Sequence, residues 1–191
     1  MAVRPIVIYT EPVLHQRAAE VTEIDDEIRT LVEDMFETMD AANGVGLAAP
    51  QVGVGLRIFT WEYDEHDDDA PTRGVVINPK LTLSKVSGAN PDPERHTEGC
   101  LSVPGLNFPL QRADYAHLTG IDVDGNPVDF EATGWFARIL QHEYWHLEGK
   151  LYVDMLNERW TRRWKRERKK SGMTEPGLTW MPGVDPDPFG H

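Results

Sequence analysis

Apolar positions recur at helical spacing through Ile24, Ile28, Leu31, Val32, Met35, Phe36 and Met39, and the dipeptide Asn43-Gly44 supplies a stop, so the pattern predicts an amphipathic helix there. A second helix is predicted from about Gly134 to Leu147. Phe136, Ile139, Leu140 and Leu147 give it apolar faces, and Gly149 stands at its C-terminal end. Between the two helices the period shortens. The segments LRIFTW (56–61), GVVINP (74–79) and HLTGIDV (117–123) are β-branched or alternating and read as strands, with Asp124-Gly125 marking a hairpin turn. A third amphipathic helix is predicted over 155–170, with Leu156, Trp160 and Trp164 on one stripe. The residues after 170 carry five Pro or Gly before DPDPFGH ends the sequence, and they read as an extended tail. Strands followed by a helix, not alternating with helices, point to an α+β arrangement over a doubly wound sheet.

Length and composition narrow the classes. At 191 residues, 40% of them hydrophobic, the chain can build one domain with a real core but not two comfortable ones. No apolar run approaches a membrane span, and the opening MAVRPIVIYTEP lacks the plan of a secretory signal. A single cysteine, Cys100, precludes an internal disulfide framework, and a reducing cytoplasm is the natural expectation. The formal net charge of −13 argues against general nucleic-acid binding, but it is unevenly spread. Residues 159–170, RWTRRWKRERKK, hold eight Lys or Arg and one Glu; setting that +7 against −13 leaves −20 on the rest of the chain. The stretch WEYDEHDDDA (61–70) is its acidic opposite and reads as a solvated loop, with no ligand spacing to make His66 and its carboxylates a cation site.

The chemistry concentrates in QHEYWHLEGKLY (141–152). His142 and His146 are four apart and share a helical face, so both can reach one ion. Glu143, one step round, can reach water at that ion without being a ligand, the logic of an H-E-x-x-H metalloenzyme. A third ligand must come from elsewhere. The metzincin pattern would put a His at position 152, which is Tyr, and a thermolysin-like Glu has no candidate beyond Glu158, which is too close. Upstream, EGCLSVPG (98–105) offers Cys100. A lone cysteine is commonly a small buried hydrophobe, but with Gly99 beside it for close backbone approach, its thiolate would complete a Cys-His-His set with an open fourth position.

Three stretches, GVGLAAPQVG (44–53), EGCLSVPG (98–105) and QHEYWHLEG (141–149), together resemble the three signature motifs of the peptide deformylase family, in the same order. The resemblance covers roughly residues 4–160. It implies antiparallel β-sheets around a central H-E-x-x-H helix; with the C-terminal basic helix added, the expectation is one catalytic domain, 1–170, followed by the Pro/Gly-rich tail 171–191. It implies removal of the formyl group from formyl-methionine at the N-terminus of new proteins, with release of formate. The implied metal ligands are Cys100, His142 and His146, with Glu143 as general acid/base and Gln51 and the backbone N–H of Leu101 on the oxyanion. A Cys-His-His set would suit zinc, but the resemblance implies iron(II) as the native metal, with nickel or cobalt as substitutes. Gly44 and Gly46 would let an extended substrate lie alongside. Val45, Leu101, Trp135 and Ile139, apolar and in or beside the motifs, are the expected walls of a methionine pocket, the alternative for Trp135 and Ile139 being plain core. Trp145 departs from the family pattern, which has Asp just before the second histidine, and this puts the orientation of the ligands at issue.

Two other functions compete, a zinc endopeptidase and an RNA-docking module with a vestigial site. Retention of Glu143 speaks against the second, since a structural metal site has no use for an adjacent base. The basic helix instead suggests a partner for a nascent-chain enzyme. Arg159 through Lys170 would offer ribosomal phosphates a concentrated positive face on an otherwise acidic protein.

Overall fold

The computed structural model describes residues 2–64 and 72–190. Most of the acidic stretch, including His66, lies outside the described residues. In chain order the elements are β1 (Ile6–Val7), α1 (Asp26–Ala41), β2 (Gly46–Ala48), β3 (Ile58–Glu62), β4 (Arg73–Leu83), β5 (Thr97–Glu98), β6 (Phe108–Pro109), β7 (Tyr115–Ile121), β8 (Pro127–Thr133), α2 (Gly134–Leu147), α3 (Glu158–Lys170) and β9 (Thr179–Trp180). Short 3-10 turns at Pro12–His15, Ala49–Val52 and Tyr152–Met155 link them. The fold is thus mixed α and β with antiparallel sheets. No helix among the described residues is long and apolar enough to cross a membrane.

One five-stranded sheet, in the order β2-β3-β4-β7-β8, forms the frame, with β2 and β8 at its edges. Both faces are covered. On β3, Ile58 belongs to the core on the α1 side and its neighbour Phe59 to the core on the α2 side; on β4, Val75 and Ile77 share the first core and Val76 the second. Alternating residues therefore meet two apolar layers, which is why these strands read as apolar runs with few polar gaps.

The two long helices end and begin where local chemistry dictates. Asp25 caps α1 by accepting the Ile28 N–H at 2.9 Å, with Asp26 and Glu27 favourable in the first turn. Its buried stripe, Ile28, Leu31, Val32, Met35 and Met39, is the predicted one, while Ile24 lies ahead of the helix. Helix α2 closes in a Schellman motif. The Lys150 N–H bonds the Trp145 carbonyl at 2.9 Å and the Gly149 N–H the His146 carbonyl at 3.1 Å. Gly149 is left-handed (φ 71°), and a Cβ there would sit 2.8 Å from the Gln16 backbone, so both conformation and contact demand glycine.

Some boundaries move. Strand β4 runs past the predicted Pro79 to Leu83, through an irregularity between Ile77 and Lys80. Asn78 takes φ 52° there and its amide bonds both backbone groups of Val21, so a bulge absorbs the proline that reads as a strand end. The predicted segment 117–123 is β7, ending at Ile121, and the turn after it leads into β8. Helix α3 begins at Glu158 with Asn157 as its cap; Met155 lies in a 3-10 turn instead.

The tail needs the largest correction. Residues 171–190 contain no helix, but they fold back: β9 pairs antiparallel with β1, Ile6 opposite Trp180, and Met173 and Trp180 are buried in the α1-side core. A tryptophan and a methionine amid prolines and glycines have apolar surface to bury, and that outweighs the turn-rich composition.

Candidate metal centre and cleft

Helix α2 carries His142, Glu143 and His146 on a buried face, with Phe136, Ala137, Leu140 and Leu147 packed against the sheet on its other side. The loop after β5 brings Cys100 to the same point. The Cys100 Sγ lies 3.2 Å from His146 Nε2, and one donor atom from each of Cys100, His142 and His146 falls within 4.8 Å of the others. A thiolate and two imidazoles converging in a buried site suit a four-coordinate divalent metal with one position left open, so the donor set fits the expected ion. The alternative third ligands stand elsewhere. Tyr152 stacks on the His142 ring and donates its hydroxyl to the Leu106 carbonyl at 2.7 Å, while Glu158 is an exposed partner of Arg162.

Polar groups surround this point in a definite arrangement. The Gln51 carbonyl oxygen accepts the Ala48 N–H at 2.8 Å, which turns its amide NH2 toward Cys100 Sγ (3.7 Å) and Ser102 Oγ (3.4 Å). Glu143 is 4% exposed, and its Oε2 has no hydrogen-bond partner among the described residues. Burial pushes its carboxyl up to about 7, against the pull of nearby His142 and Arg112. Gly46 has to be glycine for this carboxylate to fit, because a Cβ there would lie 2.5 Å from Glu143 Oε1.

A buried ion cluster stands behind His142 and was not assigned from the sequence. Glu98 accepts from Arg112 Nε (3.0 Å) and Nη2 (2.5 Å), from Arg138 Nη1 (2.8 Å), and faces His142 Nδ1 at 3.3 Å. That contact leaves the opposite ring nitrogen of His142 toward Cys100. Burial alone would raise the Glu98 carboxyl, but Arg112 and His142 outweigh it and hold it far below the usual range. Burial disfavours charge on His142 too, yet Cys100 and Glu98 beside it push it up to about 10; His146, dominated by burial, is driven well down. Arg138 had a readable signal, lying four residues before His142 on one helix face. Arg112 had none, since only the fold brings β5 and the loop after β6 together.

Trp145, directly before His146, does not line the metal cavity. It sits with Tyr144, Leu81, Leu83, Arg17 and Glu148 around a shallow surface groove, with the Lys150 ammonium 5.3 Å from its ring. Glu98 orients His142, whereas His146, the ligand next to Trp145, has a buried Nδ1 with no hydrogen-bond partner among the described residues.

The centre opens into a cavity of about 290 Å³. Gly44, Val45 and Gly46 border it on one side, Cys100 and Leu101 on another, and Trp135, Ile139, His142 and Glu143 come from α2. Every cleft residue expected from the sequence therefore reaches this cavity; His146 lies fully buried behind it. Ile139 is buried at the cavity wall, whereas Trp135 is 41% exposed and is not core. Strand β2 is an edge strand in the sheet, and Gly44 and Val45 just before it border the cavity.

Comparison with known proteins gives one consistent answer. The family model described as polypeptide deformylase matches residues 3–162. A peptide deformylase of Mycolicibacterium smegmatis is 51% identical over 203 residues, covering all of both chains. Peptide deformylase 2 of Corynebacterium efficiens is 52% identical over 192 residues, covering 100% of this chain and 99% of its own. Among solved structures, the peptide deformylase of Ehrlichia chaffeensis in complex with actinonin superposes with a TM-score of 0.75 at 36% identity, over 89% of this chain and 98% of that one. The Thermus thermophilus enzyme gives 0.75 at 36%, over 88% and 94%.

Proposed function

The chain belongs to the polypeptide deformylase family and is a hydrolase that removes the N-terminal formyl group from nascent peptides; from that premise we propose which residues carry the reaction and on what partner surface it runs. Cys100, His142 and His146 hold the metal, and the antiparallel sheets wrap the H-E-x-x-H helix α2 that presents two of them. When bound, a divalent ion supplies Lewis-acid polarisation and lowers the pKa of water toward 7. The observation that carries the assignment is the meeting of these three donors beside the unpartnered Oε2 of Glu143 and the inward-turned amide of Gln51.

Glu143 is the proton carrier. As a carboxylate it accepts a proton from the attacking water, and as a carboxylic acid it returns that proton to the amine that leaves as the C–N bond breaks. A buried carboxyl poised near neutrality suits both roles. The Gln51 Nε2 and the Leu101 N–H stabilise negative charge on the formyl oxygen, each such donor contributing roughly 2.7–4 kcal/mol in comparable sites. The peptide runs extended beside Gly44–Gly46 at the β2 edge, with its methionine side chain against Val45, Leu101, Trp135 and Ile139. The products are formate and a free N-terminal amine.

Iron(II) is the metal we assign, with nickel, cobalt or zinc as possible replacements; the soft thiolate and two imidazoles admit all four. The catalytic unit is 1–170, followed by the tail 171–191, whose described residues 171–190 fold back on it; the enzyme works in the cytoplasm on chains still at the ribosome. What supports ribosome contact is α3, where Trp164 is buried and Arg162, Arg163, Lys165, Arg166, Lys169 and Lys170 are exposed. Formate release from formyl-Met-Ala-Ser, set against cleavage of unformylated peptides, tests the reaction. Formate alone is expected, and cleavage of internal bonds would favour an endopeptidase.

A further inference from the structure

The tail lies beyond residue 162, where the family match ends, yet it reaches the cleft. It is anchored first. Trp180, in β9, is 9% exposed and donates its indole N–H to the Leu101 carbonyl at 2.9 Å. From there the chain turns back through Pro186 and Pro188, each with a fixed φ, and the Asp187 side chain accepts the Phe189 N–H at 2.8 Å. These constraints present Phe189 to the site. Its ring makes an edge contact with Trp180, centroids 6.3 Å apart, and borders the same 290 Å³ cavity as Cys100 and Glu143.

Two details distinguish this from tail residues merely covering core. Phe189 is only half-buried, so part of the ring faces open space. It also stands over Gly99, one residue before Cys100: a Cβ built on Gly99 would lie 3.9 Å from Phe189 Cε1, in ordinary van der Waals contact. With Val45, 46% exposed, and Trp135 at the same cavity, Phe189 adds an apolar side chain to the rim of the cleft.

We infer that Phe189 is a specificity-determining wall of the peptide cleft, contacting the side chain of one of the first residues after formyl-methionine and favouring apolar ones. This rests on the deformylase reading, because the formyl group must be seated at Cys100, His142 and Glu143 for the following residues to pass the rim. A peptide in the cleft would cover the exposed part of the ring, and that burial is the source of the preference.

The experiment measures kcat and KM for formyl-Met peptides with Ser, Leu or Phe at the second and, separately, the third position, using intact protein, Phe189→Ala and Phe189→Leu. The intact enzyme is expected to prefer Leu or Phe over Ser at one of these positions. Phe189→Ala should reduce that preference about five- to tenfold, mainly through KM, the size of one partly buried aromatic contact, and Phe189→Leu should restore much of it. An unchanged preference, or an equal loss on all peptides, overturns the inference and leaves deformylation standing. If the intact protein releases no formate from any peptide, the underlying reading fails and takes this one with it.

Discussion

Glu143 and Cys100 occupy the same centre but are assigned different work, and substitutions separate them. Glu143→Ala should keep its metal, measured as metal per chain after dialysis, and lose at least 10²-fold in deformylation, since it removes a proton carrier and no ligand. Cys100→Ser should instead lose metal, because a neutral hydroxyl replaces thiolate. Near-normal turnover by the Ala variant would contradict the mechanism. A related expectation concerns air. The iron form should decay in aerated buffer faster than the nickel form, with the Cys100 thiolate exposed to oxidation beside an oxidisable ion, and equal lifetimes would count against iron. At this scale the sequence was informative wherever function needs a fixed local spacing. His142 and His146 could be placed on one face, with Glu143 beside them, from a helical period alone. Cys100 remained one of two readings until the motifs were taken together. The Glu98–Arg112 pair was illegible, because its two residues, fourteen apart, meet only through the pairing of β5 with β6.

Elements are held to one another by a few buried polar contacts, and the tie between the N-terminus and α1 is open to a pH test. Asp34, on α1, accepts the Ala2 N–H at 2.7 Å and Arg4 Nε at 2.9 Å. Burial would raise its carboxyl, but these bonds outweigh burial and hold it below the usual range. A depressed carboxylate stabilises the fold above its ordinary pKa, and that contribution is lost as pH falls through the folded value, so the window lies below about pH 4. Asp34→Asn should therefore cost about 1 kcal/mol at pH 7, and urea unfolding should show the gap narrowing as the pH is lowered through that window. A gap independent of pH would mean the carboxylate charge does no stabilising work. Element legibility followed the same physics. Helices α1 and α2 repeat their apolar stripe over several turns and were readable, as was the stop at Gly149. Strand β4 was cut short at Pro79 because a bulge, formed by long-range contact with Val21, leaves no local mark. The tail misled because its turn-forming prolines dominate the eye, while Met173 and Trp180 decide where it lies.

At the scale of the whole molecule the charge is segregated. Helix α3 is pinned by Trp164, with Leu156 buried just ahead of it and Arg159 and Arg163 lying over the face of Trp160, while the protein carries −13 overall. A uniformly acidic enzyme would be repelled by ribosomal RNA; this one presents a positive face whose contacts would release counterions. Co-sedimentation with ribosomes should weaken steeply with salt, and changing Arg162, Arg163, Arg166 and Lys169 to Glu should abolish it, while formate release from short peptides stays unchanged. Equal pelleting of both proteins, or binding indifferent to salt, would end the docking idea without touching the chemistry.

The pairing of β1 with β9 has a consequence in time. Ile6 is translated well before its ladder partner Trp180, which lies 174 residues further along the chain. At roughly 5–20 residues per second, about 10–40 s separate the two. Throughout that interval the first strand lacks its ladder partner. The cleft is also unfinished, since Trp180 and Phe189 arrive after every catalytic group is already translated. An enzyme that serves emerging chains is thus itself incomplete while it emerges, and a copy interrupted before Thr179 would leave a bare strand edge that invites aggregation.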